Sequence, residues 1–93
     1  MATDSEYELY VTPQHQALDL PIGSTLRFDS DGPSAVLGQV IALWPKRGPR
    51  PLLGRLSRNP HMRGQTLLIT IDKADGGHAA FYEWAVLRVD AML

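Results

Sequence analysis

Gln65-Thr-Leu-Leu-Ile-Thr-Ile-Asp72, followed by Lys73-Ala-Asp-Gly-Gly77, is the stretch on which the fold is decided. The first eight residues are the clearest strand in the chain, rich in aliphatic and β-branched side chains. The next five form a loop in which Asp75-Gly76-Gly77 supplies the positive φ that a hairpin needs. A hairpin demands a returning strand, and Ala79 to Val89 is the segment in place to provide it. On a strand, Phe81, Ala85, Leu87 and Val89 share one face with Glu83 as an intruder, and Tyr82, Trp84, Val86 and Arg88 share the other. A helix over Ala79 to Met92 is the rival; the hairpin geometry and the aromatic and β-branched content favour the strand.

Working outward, the same signals recur. Glu6 to Val11 sets Tyr7, Leu9 and Val11 against Glu6, Glu8 and Tyr10, a half-exposed first strand. Thr12-Pro13 ends it, and Thr12 is placed to cap a short turn over Gln14 to Leu18 before Pro21 and Gly23 break the chain again. Ser24 to Asp29 alternates as a second short strand and closes in Asp29-Ser30-Asp31-Gly32-Pro33, which is dense turn chemistry. Ala35 to Trp44 fits either a helical stripe or a buried strand; Gly38 and the β-branched residues favour a strand with a bulge. Pro45 to Pro51 is a basic Pro/Gly-rich loop, Leu52 to Leu56 a short strand with Arg55 outward, and Asn59-Pro60-His61 a turn.

Five to six short strands, at most one short helix, and turns every eight to twelve residues predict a mostly β fold. The expectation is a small single-domain antiparallel barrel or rolled sheet, SH3-like or OB-like, over residues 1–93. Ninety-three residues with 44% hydrophobic and 20% charged side chains suit one ordinary globular domain. There is no cysteine, so thiolate metal sites, iron–sulfur clusters, disulfides and cysteine nucleophiles are excluded. The acidic N-terminal decapeptide has no apolar leader core, and no apolar run approaches the roughly 20 residues of a bilayer span, so a cytoplasmic protein off the membrane is expected.

Charge is distributed unevenly. Residues 1–31 carry six acids and only Arg27, for −5; residues 32–71 carry +6 with no acid; residues 72–93 carry −2. The six central cations are Lys46, Arg47, Arg50, Arg55, Arg58 and Arg63. Arginine dominates them, and its planar fork grips phosphate or carboxylate bidentately and stacks on bases. Trp44 borders the basic loop as an aromatic platform, with Tyr82 or Trp84 available if the last strand lies alongside. These seven residues, Trp44 and the six cations, are the expected polyanion- or partner-binding set, with Arg47, Arg50, Arg55 and Arg58 at its centre.

Two classes of partner fit that set. One is nucleic acid, bound through phosphates and stacked bases. The other is an acidic protein surface, with the chain serving as an interaction or inhibitor protein, phage-encoded ones included, since arginine and aromatic anchors dominate interface hot spots. Alternatively, the arginines neutralise the acidic first strand and Asp29 and Asp31, and Trp44 is core. Exposed edge strands would also allow a homodimer by strand pairing.

Catalysis and cofactors find no footing. His15 and Asp19 have i, i+4 spacing, but Pro13 and Pro21 confine any helix between them to about two turns. His61 and His78 lie in expected loops, and nothing in the sequence brings them to His15. No nucleophile-elbow, Walker A or Gly-x-Gly-x-x-Gly pattern occurs. Asp29 and Asp31 could form a carboxylate pair, but in Asp-Ser-Asp-Gly-Pro they most simply make Asx-turn bonds to the backbone. Glu83 would act as an acid only if buried. No metal ligand set, cofactor site or catalytic residue is assigned, and the expected activity is non-catalytic binding.

Overall fold

A computed structural model describes residues 5–93. The chain runs as eight strands and two 3-10 segments: β1 (Glu6–Tyr10), the 3-10 segment Pro13–Leu18, β2 (Thr25–Asp29), β3 (Val40–Pro45), β4 (Leu52–Leu56), β5 (His61–Arg63), β6 (Thr66–Lys73), β7 (His78–Tyr82), the one-turn 3-10 helix Glu83–Ala85, and β8 (Val86–Ala91). All pairings are antiparallel. The expected mostly β rolled sheet is the fold.

The hairpin that opened the reading forms as expected. β6 pairs with β7 from Leu68↔Tyr82 to Asp72↔His78, and the loop between them turns through Gly76 at φ 101°. Asp75 Oδ1 accepts the Gly77 amide at 3.0 Å, which fixes the turn and holds the Asp75 carboxyl below the usual range. On its other side β6 pairs with β5 along its first half and β4 along its second, so those two strands lie end to end. The main sheet therefore runs β7, β6, β4 with β5, β3, β8. The last strand returns to pair with the first of this sheet, which rolls it into a half-barrel.

The sheet buries both faces at its centre, which explains the unbroken apolar run Val40-Ile-Ala-Leu43. Alternation sends Ile41 and Leu43 inward with Leu56, Ile69, Ile71 and Val86, the core of the half-barrel. Val40 and Ala42 face outward with Leu53, where Val11, Leu18, Leu26 and Phe28 cover them. Those covering residues come from the β1–β2 hairpin and the 3-10 segment that follows β1. The Phe28↔Met92 bridge and the Leu93 amide on the Arg27 carbonyl tie this cover to β8. Thr12 caps the 3-10 segment as expected, its hydroxyl accepting the Gln14 amide, and His15 Nδ1 accepts the Thr12 amide at 3.1 Å.

Four expectations need correction. Residues 35–39 are a turn, not the start of a strand: Gly38 sits at φ 83° and Gln39 Oε1 accepts the Val36 amide, so the strand begins only at Val40. Pro45 belongs to β3, at a register shift between Trp44 and Pro45, the kind of irregularity that tolerates a residue with no N–H. His61 opens a three-residue strand, pinned to β6 through the Gly64-Gln65 turn. Finally, 79–89 is no single strand. It breaks at Glu83–Ala85 because β7 must leave β6 and β8 must cross to β3, and the one-turn helix makes that corner.

Among the described residues no helix is long and apolar enough to cross a membrane. Among the described residues β7 pairs only with β6, and β1 only with β2, so each leaves one edge without a described strand.

Candidate functional site: a basic loop beside an exposed aromatic pair

The β3–β4 loop leaves the sheet immediately after Pro45. Its first amide, Lys46 N–H, donates to the Ala85 carbonyl at 3.0 Å, which fastens the loop to the corner helix. Consequently Lys46 and Arg47 line one open groove of about 550 Å³ with Phe81, Trp84 and Ala85. The Trp84 ring is 64% exposed and stacks on Tyr82, with centroids 5.9 Å apart and planes 10° from parallel. A large apolar ring at that exposure, held flat by a second ring, is a surface available to a planar ligand.

Five of the nine described carboxylates have partners elsewhere in the fold, and Glu83, beside Trp84, is exposed. Glu6 pairs with Arg27 at 3.0 Å, Asp72 with His78, Asp75 with Lys73, and Asp90 with Arg88. Asp29 accepts the Asp31 amide in an Asx turn and bonds Ser5; both interactions hold its carboxyl below the usual range. Among the described residues no carboxylate lies in ion-pair range of Lys46, Arg47, Arg50, Arg55, Arg58 or Arg63. Asp4 lies outside the described residues. Among the described residues, neither the acids of the first strand nor Asp29 and Asp31 form an ion pair with the basic loop.

The six cations do not form one patch. Lys46, Arg47 and Arg50 are exposed on the loop at one end of β4. Arg58 and Arg63 are exposed beyond its other end, about 17 Å away along a five-residue strand. Arg55, between them, is half-buried and bonds backbone: its guanidinium donates to the Gly38 carbonyl at 3.0 Å and to the Leu18 carbonyl at 3.0 Å. It ties the 35–39 turn and the first 3-10 segment to β4.

Trp44 lies on the outer face of β3, half-buried, where its indole N–H donates to the Tyr7 hydroxyl at 2.9 Å. The Arg88 guanidinium covers its ring at 4.6 Å from the centroid. The aromatic platform beside the loop is instead Trp84, which enters it because the corner helix turns 83–85 toward Lys46.

No family model, no curated protein and no solved structure matches the chain. What the groove can do is therefore a matter of its own chemistry.

Within the 3-10 segment His15 accepts the N-cap amide, and Asp19 forms its left-handed C-cap at φ 55°. Glu83 is exposed. His78 faces Asp72 at 2.6 Å in the open. Among the described residues no three or more His, Cys, Asp or Glu side chains gather as a metal site.

A polar cluster that sequence reasoning missed lies between β1, β3 and β8. Asp90, only 3% exposed, accepts from the Tyr7 hydroxyl and, at 2.9 Å, from Arg88 Nε. Burial and the Asp90 carboxylate together push the Tyr7 phenol up to about 12. The Asp90 hydrogen bond keeps Arg88 firmly protonated. Its partners are separated by 83 residues in sequence, so no local pattern could have announced the cluster.

Proposed function

We propose that this protein binds a single-stranded nucleic acid, with Lys46, Arg47 and Arg50 on phosphates and Trp84, backed by Tyr82, stacked on a base. One observation carries the reading: Lys46 and Arg47, without a carboxylate partner among the described residues, share a groove with an exposed, stacked tryptophan. A cation beside a flat aromatic is the arrangement that binds strands irrespective of sequence, because every base has a π-face and every nucleotide a phosphate. A single strand suits the groove better than a duplex, whose bases are stacked and out of reach of a side chain on a shallow surface.

The test is a fluorescence titration of the full chain with oligo-dT and oligo-U across a salt series. Binding should quench Trp84, and a Trp84→Phe variant should lose the quench while Trp44 still emits. Three phosphate contacts correspond to a slope of log affinity against log salt of about −2. A flat salt response, or no quench at low salt, removes the reading. Quenching by an acidic peptide and not by oligonucleotides would put in its place docking on an acidic protein surface.

A further inference from the structure

The basic loop has a second flank. At its far end, Arg50 shares a depression of about 360 Å³ with Tyr10 and His15. Tyr10, the last residue of β1, is 62% exposed. His15 offers its Nε2 to a ligand: its Nδ1 accepts the Thr12 amide and lies 3.3 Å from the Thr12 hydroxyl, which leaves Nε2 to donate, and Nε2 carries no hydrogen bond within the described residues. Neither Arg50 nor His15 has a carboxylate in ion-pair range among the described residues. Lys73 lies next to this depression but is engaged with Asp75 at 3.7 Å. Along β1 the exposed face continues into Glu8, so an anion approaching Tyr10 is turned toward the loop rather than down the strand.

The same two elements, an exposed ring and an uncompensated arginine, thus stand at both ends of one loop. The four residue steps from Lys46 to Arg50 span at most about 14 Å. Proline at 45, 49 and 51 restricts the backbone on which the cations are displayed. We infer that Tyr10, His15 and Arg50 form a second nucleotide subsite, so that one strand crosses the loop with a base on Trp84 and another on Tyr10. The loop cations meet the phosphates between the two bases, and His15 Nε2 donates to the phosphate beyond Arg50. This rests on the nucleic-acid reading of the first groove, and it adds a minimum ligand length that the first groove alone does not impose.

The experiment is a length series, oligo-dT of one to ten nucleotides, titrated against the full chain and its Tyr10→Ala, Tyr10→Phe and Arg50→Ala variants with Trp84 quenching as the readout. The shortest ligands, which reach only Trp84, should bind wild type and Tyr10→Ala alike. Longer ones should bind wild type more tightly by roughly 5- to 150-fold, the yield of one further stacked base. That gain should vanish in Tyr10→Ala, persist in Tyr10→Phe and shrink in Arg50→Ala. Long ligands that quench Trp84 and bind Tyr10→Ala as tightly as wild type would overturn the second subsite and leave the first groove standing. Absence of quenching at every length overturns both. Thermal melts check the fold of each variant. Should Tyr10→Ala melt early, the comparison of Arg50→Ala with wild type at long and short lengths carries the decision, and equal length dependence in the two is the overturning result.

Discussion

Trp44 and Tyr7 meet edge to face, ring centroids 5.6 Å apart and planes at 76°, and the indole N–H of the first donates to the hydroxyl of the second at 2.9 Å. The same hydroxyl donates to Asp90, whose carboxylate also accepts from Arg88. β1 is thereby fastened across β3 and β8 by a chain of polar contacts as well as by its apolar face. Among the described residues the β1–β2 hairpin has no ladder to the main sheet beyond the Phe28↔Met92 bridge and the Leu93 amide on the Arg27 carbonyl, so its attachment leans also on this cluster and on the outer core beneath it.

Tyr7→Phe isolates the polar part of that attachment. The ring, and hence its stacking on Phe28, is kept, but the half-buried Trp44 N–H and the buried Asp90 each lose a partner. The expected loss is about 1–3 kcal/mol, measured by urea unfolding near pH 7. A variant as stable as wild type would mean that water replaces the hydroxyl without cost.

The pH dependence of that difference has a definite sign. The phenol of an unfolded tyrosine ionises near 10, whereas in the fold burial and Asp90 push Tyr7 up to about 12. Between these values the unfolded state has released a proton that the folded state retains, so stability falls as pH rises. The advantage of wild type over Tyr7→Phe should be complete below pH 10 and decline through about pH 12. An advantage that grew over that range would contradict the assignment of the Asp90 contact.

Residues whose role is set by neighbours in sequence were legible, and those set across the sheet were not. The Asp75-Gly76-Gly77 hairpin, the Thr12 cap and the Asx turn at Asp29 all depend on contacts within three residues, and all form. Trp44, Arg55 and Arg88 are different. Each is engaged by a partner that only the sheet brings near: Tyr7 for Trp44, the Leu18 carbonyl for Arg55, the Trp44 ring for Arg88. The break at Glu83–Ala85 was hidden for the same reason, since Ala79 to Val89 reads locally as one strand and only closure of the roll requires a corner. A tryptophan and an arginine beside a basic loop look alike in sequence whether they face the ligand or the core.

Gly54 supplies a test of the sheet itself. It is buried in β4 opposite Lys73 of β6, and a Cβ there would press on the Asp72 carbonyl of that neighbouring strand, a backbone group that cannot swing away. Gly54→Ala should therefore part β4 from β6 and cost about 3 kcal/mol, the upper end of overpacked cores, seen as a large drop in melting temperature. Gly23→Ala is the control: a Cβ there meets no atom within 4 Å, leaving only the strain of φ 87°. Equal melting temperatures for Gly54→Ala and wild type would show that the two strands are not held at this spacing.

The sharpest separation of structure from function lies among the arginines. Arg55→Ala removes two bonds to the Gly38 and Leu18 carbonyls and frees the 35–39 turn and the first 3-10 segment from β4. Bonds from a charged donor are worth about 1.5–3 kcal/mol each when fully formed. Arg55 is half-exposed, so a loss of about 1–2 kcal/mol in total is expected after water takes up part of the demand. Arg47 and Arg50 are exposed and bear no such bonds among the described residues, so replacing both with alanine should move stability by no more than about 0.5 kcal/mol. The same double variant should weaken oligonucleotide binding and reduce the salt slope by about 1.4, two phosphate contacts fewer on a single strand. Arg55→Ala, refolded at a temperature where it is fully native, should keep the wild-type slope. The reverse pattern, with binding lost in Arg55→Ala and retained in the double variant, would move the ligand from the loop to the face of β4.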